Sequence, residues 1–173
     1  MRFSNGLTPP CQLWVRRDEP FPPAHPGSVA VYCGSNFGTD PAFAVAARSL
    51  GRTLAEREIR LVFGGGKVGP MGAVADAADA FIMLPGGFGT FDEFFEVLTW
   101  TQLGIHAKPC GVLDVAGFFG PLRALLDGAV TTGFVHAAHR DMVVVDADPG
   151  SLVDRLAAWT PVTVSKWLDR AER

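Results

Sequence analysis

The stretch Pro85-Gly-Gly-Phe-Gly-Thr-Phe-Asp-Glu93 sets a glycine turn, a threonine and two carboxylates side by side. Glycines let a backbone approach a ligand closely and turn its N–H groups inward, and a following helix adds the positive end of its dipole. Gly86, Gly87, Phe88, Gly89 and Thr90 therefore make a candidate anion cradle. Glu93 has two readings. As structure, Thr90 and Glu93 form a capping box, with Thr90 at the helix start and Glu93 reaching back to its N–H. As chemistry, Glu93 is a carboxylate beside an anion loop, kept ionised by the helix dipole. Pattern alone favours the cap. Asp92 and Glu96 are solvated by default, and Thr99 can face either way.

Two further glycine loops, Gly34-Ser35 and Gly64–Gly72, follow short apolar runs in the same manner. Three such loops at one edge favour anion binding over mere tight turning. A phosphate held by backbone needs no lysine, which suits a chain whose lysines are Lys67, Lys108 and Lys166. No Gly-Lys-Ser/Thr follows Gly64, so this is not a P-loop. The first strand also lacks a GxGxxG fingerprint, which disfavours a nicotinamide cofactor.

These loops must be carried by alternating strands and helices. Strands are expected at Ser28–Cys33, Arg60–Phe63, Phe81–Leu84, Pro109–Asp114 and Met142–Asp146. Asp40-Pro41 supplies an N-cap with proline at the first helical position, opening a helix to about Arg57. Phe91, Phe94, Phe95 and Leu98 mark the apolar face of a helix from Thr90 to about Leu103. Leu122, Leu125, Leu126 and Val130 mark another, closed by Gly133, and Pro149 to Trp159 a last one. The expected fold is α/β, a Rossmann-like parallel sheet with helices on both faces in three layers. Its ligand crevice lies at the carboxyl ends of the strands.

At 173 residues the chain suits one domain, read as residues 28–160. Residues 1–27 carry six of the thirteen prolines and are read as an extended leader, and 161–173 as a tail. A hydrophobic fraction of 48% suggests a subunit interface or a fully covered sheet. No apolar run reaches the roughly 18 residues of a membrane span, and Met1 to Gly27 lacks the apolar middle of a signal peptide. Cys11, Cys33 and Cys110 form no CxxC pair, so structural zinc and a disulfide framework are poor readings and a cytoplasmic setting fits best. A net charge of −3 without a basic block excludes nucleic acid as the expected partner.

Gly64-Gly-Gly-Lys-Val-Gly-Pro-Met-Gly72 and Pro85-Gly-Gly-Phe-Gly-Thr-Phe-Asp-Glu93 resemble the paired motifs of the LOG family. These are cytokinin riboside 5′-monophosphate phosphoribohydrolases, long labelled lysine decarboxylases. Leu98-Thr-Trp-Thr-Gln-Leu-Gly-Ile-His-Ala-Lys-Pro109 is similar to the family's next stretch, and Val31-Tyr-Cys-Gly-Ser35 to its first strand and loop. The resemblance covers about residues 28–158. It implies hydrolysis of the bond between an adenine-type base and ribose 5-phosphate, by a homodimer, with no cofactor. It assigns substrate binding to Ser35, Gly65, Gly66, Gly86, Gly87, Phe88, Gly89, Thr90, Asp92 and Thr99. Glu93 would face the sugar, stabilising an oxocarbenium-like transition state or orienting water, so that catalysis now outweighs capping. A decarboxylase would need an imine-forming lysine, and none of the three lysines suits that role. The alternative is a non-catalytic nucleotide- or cofactor-binding protein built on the same loop, such as a molybdenum-cofactor carrier.

The resemblance breaks near Ala78-Asp79. The family pattern continues after Met71-Gly72 with a longer helix, another strand and a helix whose arginine partners the motif glutamate; a further substrate-binding glutamate lies there too. Here Ala73–Ala78 runs directly into Asp79-Ala-Phe-Ile. One strand–helix unit of about thirty residues is missing from between the loops. If the 173 residues are the whole chain, the expected consequence is a row of unpaired N–H and C=O groups beside strand 81–84, unless the strands rearrange or a second chain fills the place.

Overall fold

The computed structural model describes residues 26–63 and 76–162. Nearly all of the leader, the Gly64–Gly72 loop with Gly65 and Gly66, and most of the tail lie outside them. Five strands form one all-parallel sheet: β1 (Ser28–Tyr32), β2 (Arg60–Phe63), β3 (Ala80–Met83), β4 (Cys110–Leu113) and β5 (Val143–Asp146). Their spatial order is β2-β1-β3-β4-β5. The connecting helices are α1 (Pro41–Glu56), α2 (Phe88–Leu103), α3 (Gly120–Thr131) and α4 (Ala137–Arg140), and α5 (Pro149–Ala157) follows β5. The α/β three-layer expectation is met.

Local chemistry explains most boundaries. Asp40 accepts the Ala42 N–H at 2.8 Å ahead of Pro41, and Asp148 accepts the Ser151 N–H at 2.8 Å ahead of Pro149. Each aspartate satisfies one of the donors that a helix start leaves open. Helix α2 ends on Gly104 in the left-handed region, at φ 70°, where glycine carries no Cβ penalty.

Strand alternation divides the core in two. One face of the sheet, with Val29, Val31, Ile82 and Val144, packs on Leu50 and Leu54 of α1 and on Leu152, Val153 and Leu156 of α5. The other face, with Ala30, Tyr32, Phe81, Met83, Cys110 and Val112, packs on Phe94 and Val97 of α2 and on Phe119. Burying each large apolar side chain contributes about 1.5–3 kcal/mol. Gly111 lets α5 seat closely, because a Cβ there would meet Leu152 and Leu156 at 3.1 Å.

Two expectations are corrected. Helix α2 begins at Phe88 with Gly87 as its cap, and no side chain caps it. Thr90 therefore lies inside the helix, buried, and the Thr90–Glu93 capping box does not form. The unpaired edge is not beside Ala80–Met83, which pairs with β1 on one side and β4 on the other. Among the described residues the edge strands are β2 and β5, and on β2 Leu61 is 52% and Phe63 65% exposed.

Candidate active site

The chain leaves β1 toward β2 and leaves β3 toward β4, in opposite directions across the sheet. The carboxyl ends of β1 and β3 therefore bound the topological switch point, where sheets of this class hold their ligands. The Gly34-Ser35 and Pro85–Thr90 segments both emerge there. They are joined by backbone: Leu84 N–H donates to the Tyr32 carbonyl at 2.9 Å, and Gly34 N–H to the Pro85 carbonyl at 3.2 Å.

Gly86 is required by this contact. A Cβ at position 86 would stand 2.2 Å from Thr90 Oγ1 and 2.7 Å from the Gly34 nitrogen. Thr90, only 5% exposed, thus closes the back of the turn instead of starting the helix. Gly87, Phe88 and Gly89 are exposed, Phe88 almost completely. An uncapped helix start with exposed glycines offers its first-turn N–H groups to an anion. Ser35 is exposed on the neighbouring loop.

Glu93 stands half-buried on the second turn of α2. Its carboxyl is pushed above the usual glutamate range by burial and then by the neighbouring Asp92. Desolvation thus opposes the ionising pull of the helix start at this carboxyl. Asp92 is exposed. Thr99 is exposed as well, donating to the Phe95 carbonyl at 2.7 Å. Twelve residues separate it from Gly87, about 18 Å along the helix, so the structure does not bring it to the turn within this chain. Lys108 precedes β4 at the opposite, amino edge of the sheet, half-buried, its ammonium 3.5 Å from the Asp76 carbonyl.

Sequence reading treated Tyr32 only as a strand residue. Its hydroxyl is buried without a hydrogen-bond partner among the described residues, its ring lies parallel to Phe81 at 6.3 Å, and its pKa is raised by burial and then by Glu93. The available signal was position: Tyr32 is the only tyrosine, and ends β1 on the face that α2 covers.

Comparison with known proteins bears on the same residues. The family model described as "Possible lysine decarboxylase" matches residues 72–156. A probable cytokinin riboside 5′-monophosphate phosphoribohydrolase of Oryza sativa subsp. japonica is 34% identical, with 80% of this chain and 78% of the relative covered. A cytokinin riboside 5′-monophosphate phosphoribohydrolase of Arabidopsis thaliana is 36% identical, covering 77% and 82%. The rice alignment runs over 189 positions, more than the 173 residues of this chain, while taking up only part of it. The relative thus carries residues that have no counterpart here. With identities above a third over most of both chains, and the glycine turns meeting at the switch point, the chain belongs to the LOG family of phosphoribohydrolases.

Proposed function

We propose that this protein hydrolyses the N-glycosidic bond of an adenine-type nucleoside 5′-monophosphate, AMP or a cytokinin ribotide, to free base and ribose 5-phosphate. The observation that carries the reading is Glu93, a half-buried carboxylate on the second turn of a helix whose uncapped start lies at the switch point. The phosphate is received by the N–H groups from Gly86 to Thr90, with Ser35, Gly65, Gly66 and Asp92 completing the substrate-binding set of this chain. Cleavage sends the C–N bonding pair to the base. Positive charge develops at the sugar's anomeric carbon, and the ionised Glu93 stabilises it. A water oxygen then bonds to that carbon and its proton ends on the base.

The protein acts as a cytoplasmic homodimer in this reading. Exposed Phe88, Leu103, Leu125 and Phe134 support an apolar contact surface. Among the described residues no helix is long and apolar enough to cross a membrane. Light scattering on the purified protein tests the dimer.

A second reading is nucleotide binding without turnover. It is supported by the residues of the rice relative that find no counterpart here. An arginine partner of Glu93, which the family resemblance places in that region, would be missing, and losing such a group costs a few kcal/mol of transition-state stabilisation. Incubation with AMP and with a cytokinin ribotide, followed by chromatography of ribose 5-phosphate, decides between the two. Product release supports hydrolysis; saturable AMP binding with no product supports the binding reading.

A further inference from the structure

The Tyr32 hydroxyl lies at the end of β1, one residue short of the Cys33-Gly34 turn, in a chain with no other tyrosine. The residue is 2% exposed, and its buried oxygen has no hydrogen-bond partner among the described residues. A buried hydroxyl left unpaired is destabilising, and buried polar groups without partners are rare enough to require a reason. Its surroundings are otherwise apolar: Phe81 stacks on the ring, and Phe94 and Val97 of α2 complete the cluster. Glu93 immediately precedes Phe94 on that helix. The titratable groups acting on the phenol are Glu93 and Glu96 from α2 and the Cys110 thiol from β4. Burial pushes that thiol up to about 12, so it stays neutral. Glu96 is exposed, whereas Glu93 is half-buried.

We propose that Tyr32 is a positioning residue of the hydrolytic site, its phenol donating a hydrogen bond to the Glu93 carboxylate once nucleotide closes the crevice. Catalytic hydrogen bonds are often open in the unliganded protein and tighten in the complex. The bond gives the phenol its missing partner and fixes which carboxylate oxygen meets the sugar. A phenol donor also favours the ionised carboxylate, offsetting the desolvation that Glu93 suffers. The inference rests on the reading of Glu93 as the catalytic carboxylate.

The test uses the full chain labelled with 13C at tyrosine Cζ, which yields a single resonance from Tyr32. With saturating AMP, that resonance is expected to shift between about pH 4 and 8, following the carboxyl titration. The shift should vanish in Glu93→Gln and persist in Glu96→Gln. In kinetics, Tyr32→Phe is expected to lower kcat about tenfold at unchanged KM. It should also move the acid limb of the pH profile upward. Turnover that survives in Glu93→Gln would refute the catalytic reading itself. An inactive Glu93→Gln combined with a pH-independent Tyr32 resonance overturns the role of Tyr32 alone, as does a shift lost in Glu96→Gln instead. Should Tyr32→Phe fold poorly, the resonance in the wild type and the glutamate variants decides.

Discussion

Gly34 and Gly86 approach so closely that a Cβ added to Gly86 would lie 2.7 Å from the Gly34 nitrogen. The two turns that end β1 and β3 are thereby a single wall of the crevice, and their separation in sequence is irrelevant to the site. Substitution at one must disturb the other.

Gly86→Ala is expected to destabilise the protein by roughly 1–3 kcal/mol, the usual cost of overpacking, and to weaken AMP binding. Gly87→Ala is the control, since a Cβ there meets nothing within 4 Å. It should leave stability within about 0.5 kcal/mol. Thermal denaturation and calorimetric AMP titration of both variants make the check. Equal effects at the two positions would contradict the packing account.

Glu93→Gln is expected to reduce base release by a factor of about 100 or more, with AMP affinity kept within a few-fold. Because Glu93 forms no cap, stability should change by no more than about 0.5 kcal/mol. A loss of folding in this variant, read by circular dichroism, would restore the capping role.

The pH dependence follows from the direction of the Glu93 shift. Burial and Asp92 raise its pKa in the folded protein, so the folded state holds this proton more tightly than the unfolded one. The contribution of this group to stability is present at low pH and is lost as pH rises through the folded-state value. Activity runs the other way, because the ionised form stabilises the cationic sugar. kcat/KM should rise with pH along an acid limb lying above the ordinary glutamate range. Asp92→Asn removes the second cause of the shift and should move that limb downward. Steady-state rates from acid to neutral pH measure both.

Leu61 and Phe63 leave apolar side chains on an open strand edge, the arrangement that invites edge-to-edge association. Leu61→Lys together with Phe63→Lys should raise soluble yield and reduce light scattering on heating. The melting temperature should move by only about 2–4 °C. Unaltered aggregation would show that the β2 edge is not the sticky surface.

Much of the frame was legible in the chain. Ser28–Tyr32, Arg60–Phe63 and Cys110–Leu113 are short apolar strands bounded by glycine or proline, and Asp40-Pro41 and Asp148-Pro149 announce their helices. The site was legible in outline, since the glycine turns at Gly34 and Gly86 stand where strands end. The start of α2 was misread by three residues. Thr90 has the sequence signature of a cap, yet the approach of Gly34 to Gly86 draws it beneath the turn and hands the cap to Gly87. The burial that opposes the dipole at Glu93 is invisible in a one-dimensional pattern.

Sequence by itself determined the five strands and the longer helices and where glycine punctuates them, because hydrophobic period, proline and capping act over a few residues; the one-turn α4 (Ala137–Arg140) is too short to carry such a period. Only the tertiary structure decided the strand order β2-β1-β3-β4-β5. That order places Gly34 beside Gly86, sets β3 between β1 and β4, and encloses the Tyr32 hydroxyl without a partner among the described residues. The physical reason is that pairing among strands, and the face on which each crossover helix lands, are settled by burial shared across the whole sheet. No short window of residues contains that information.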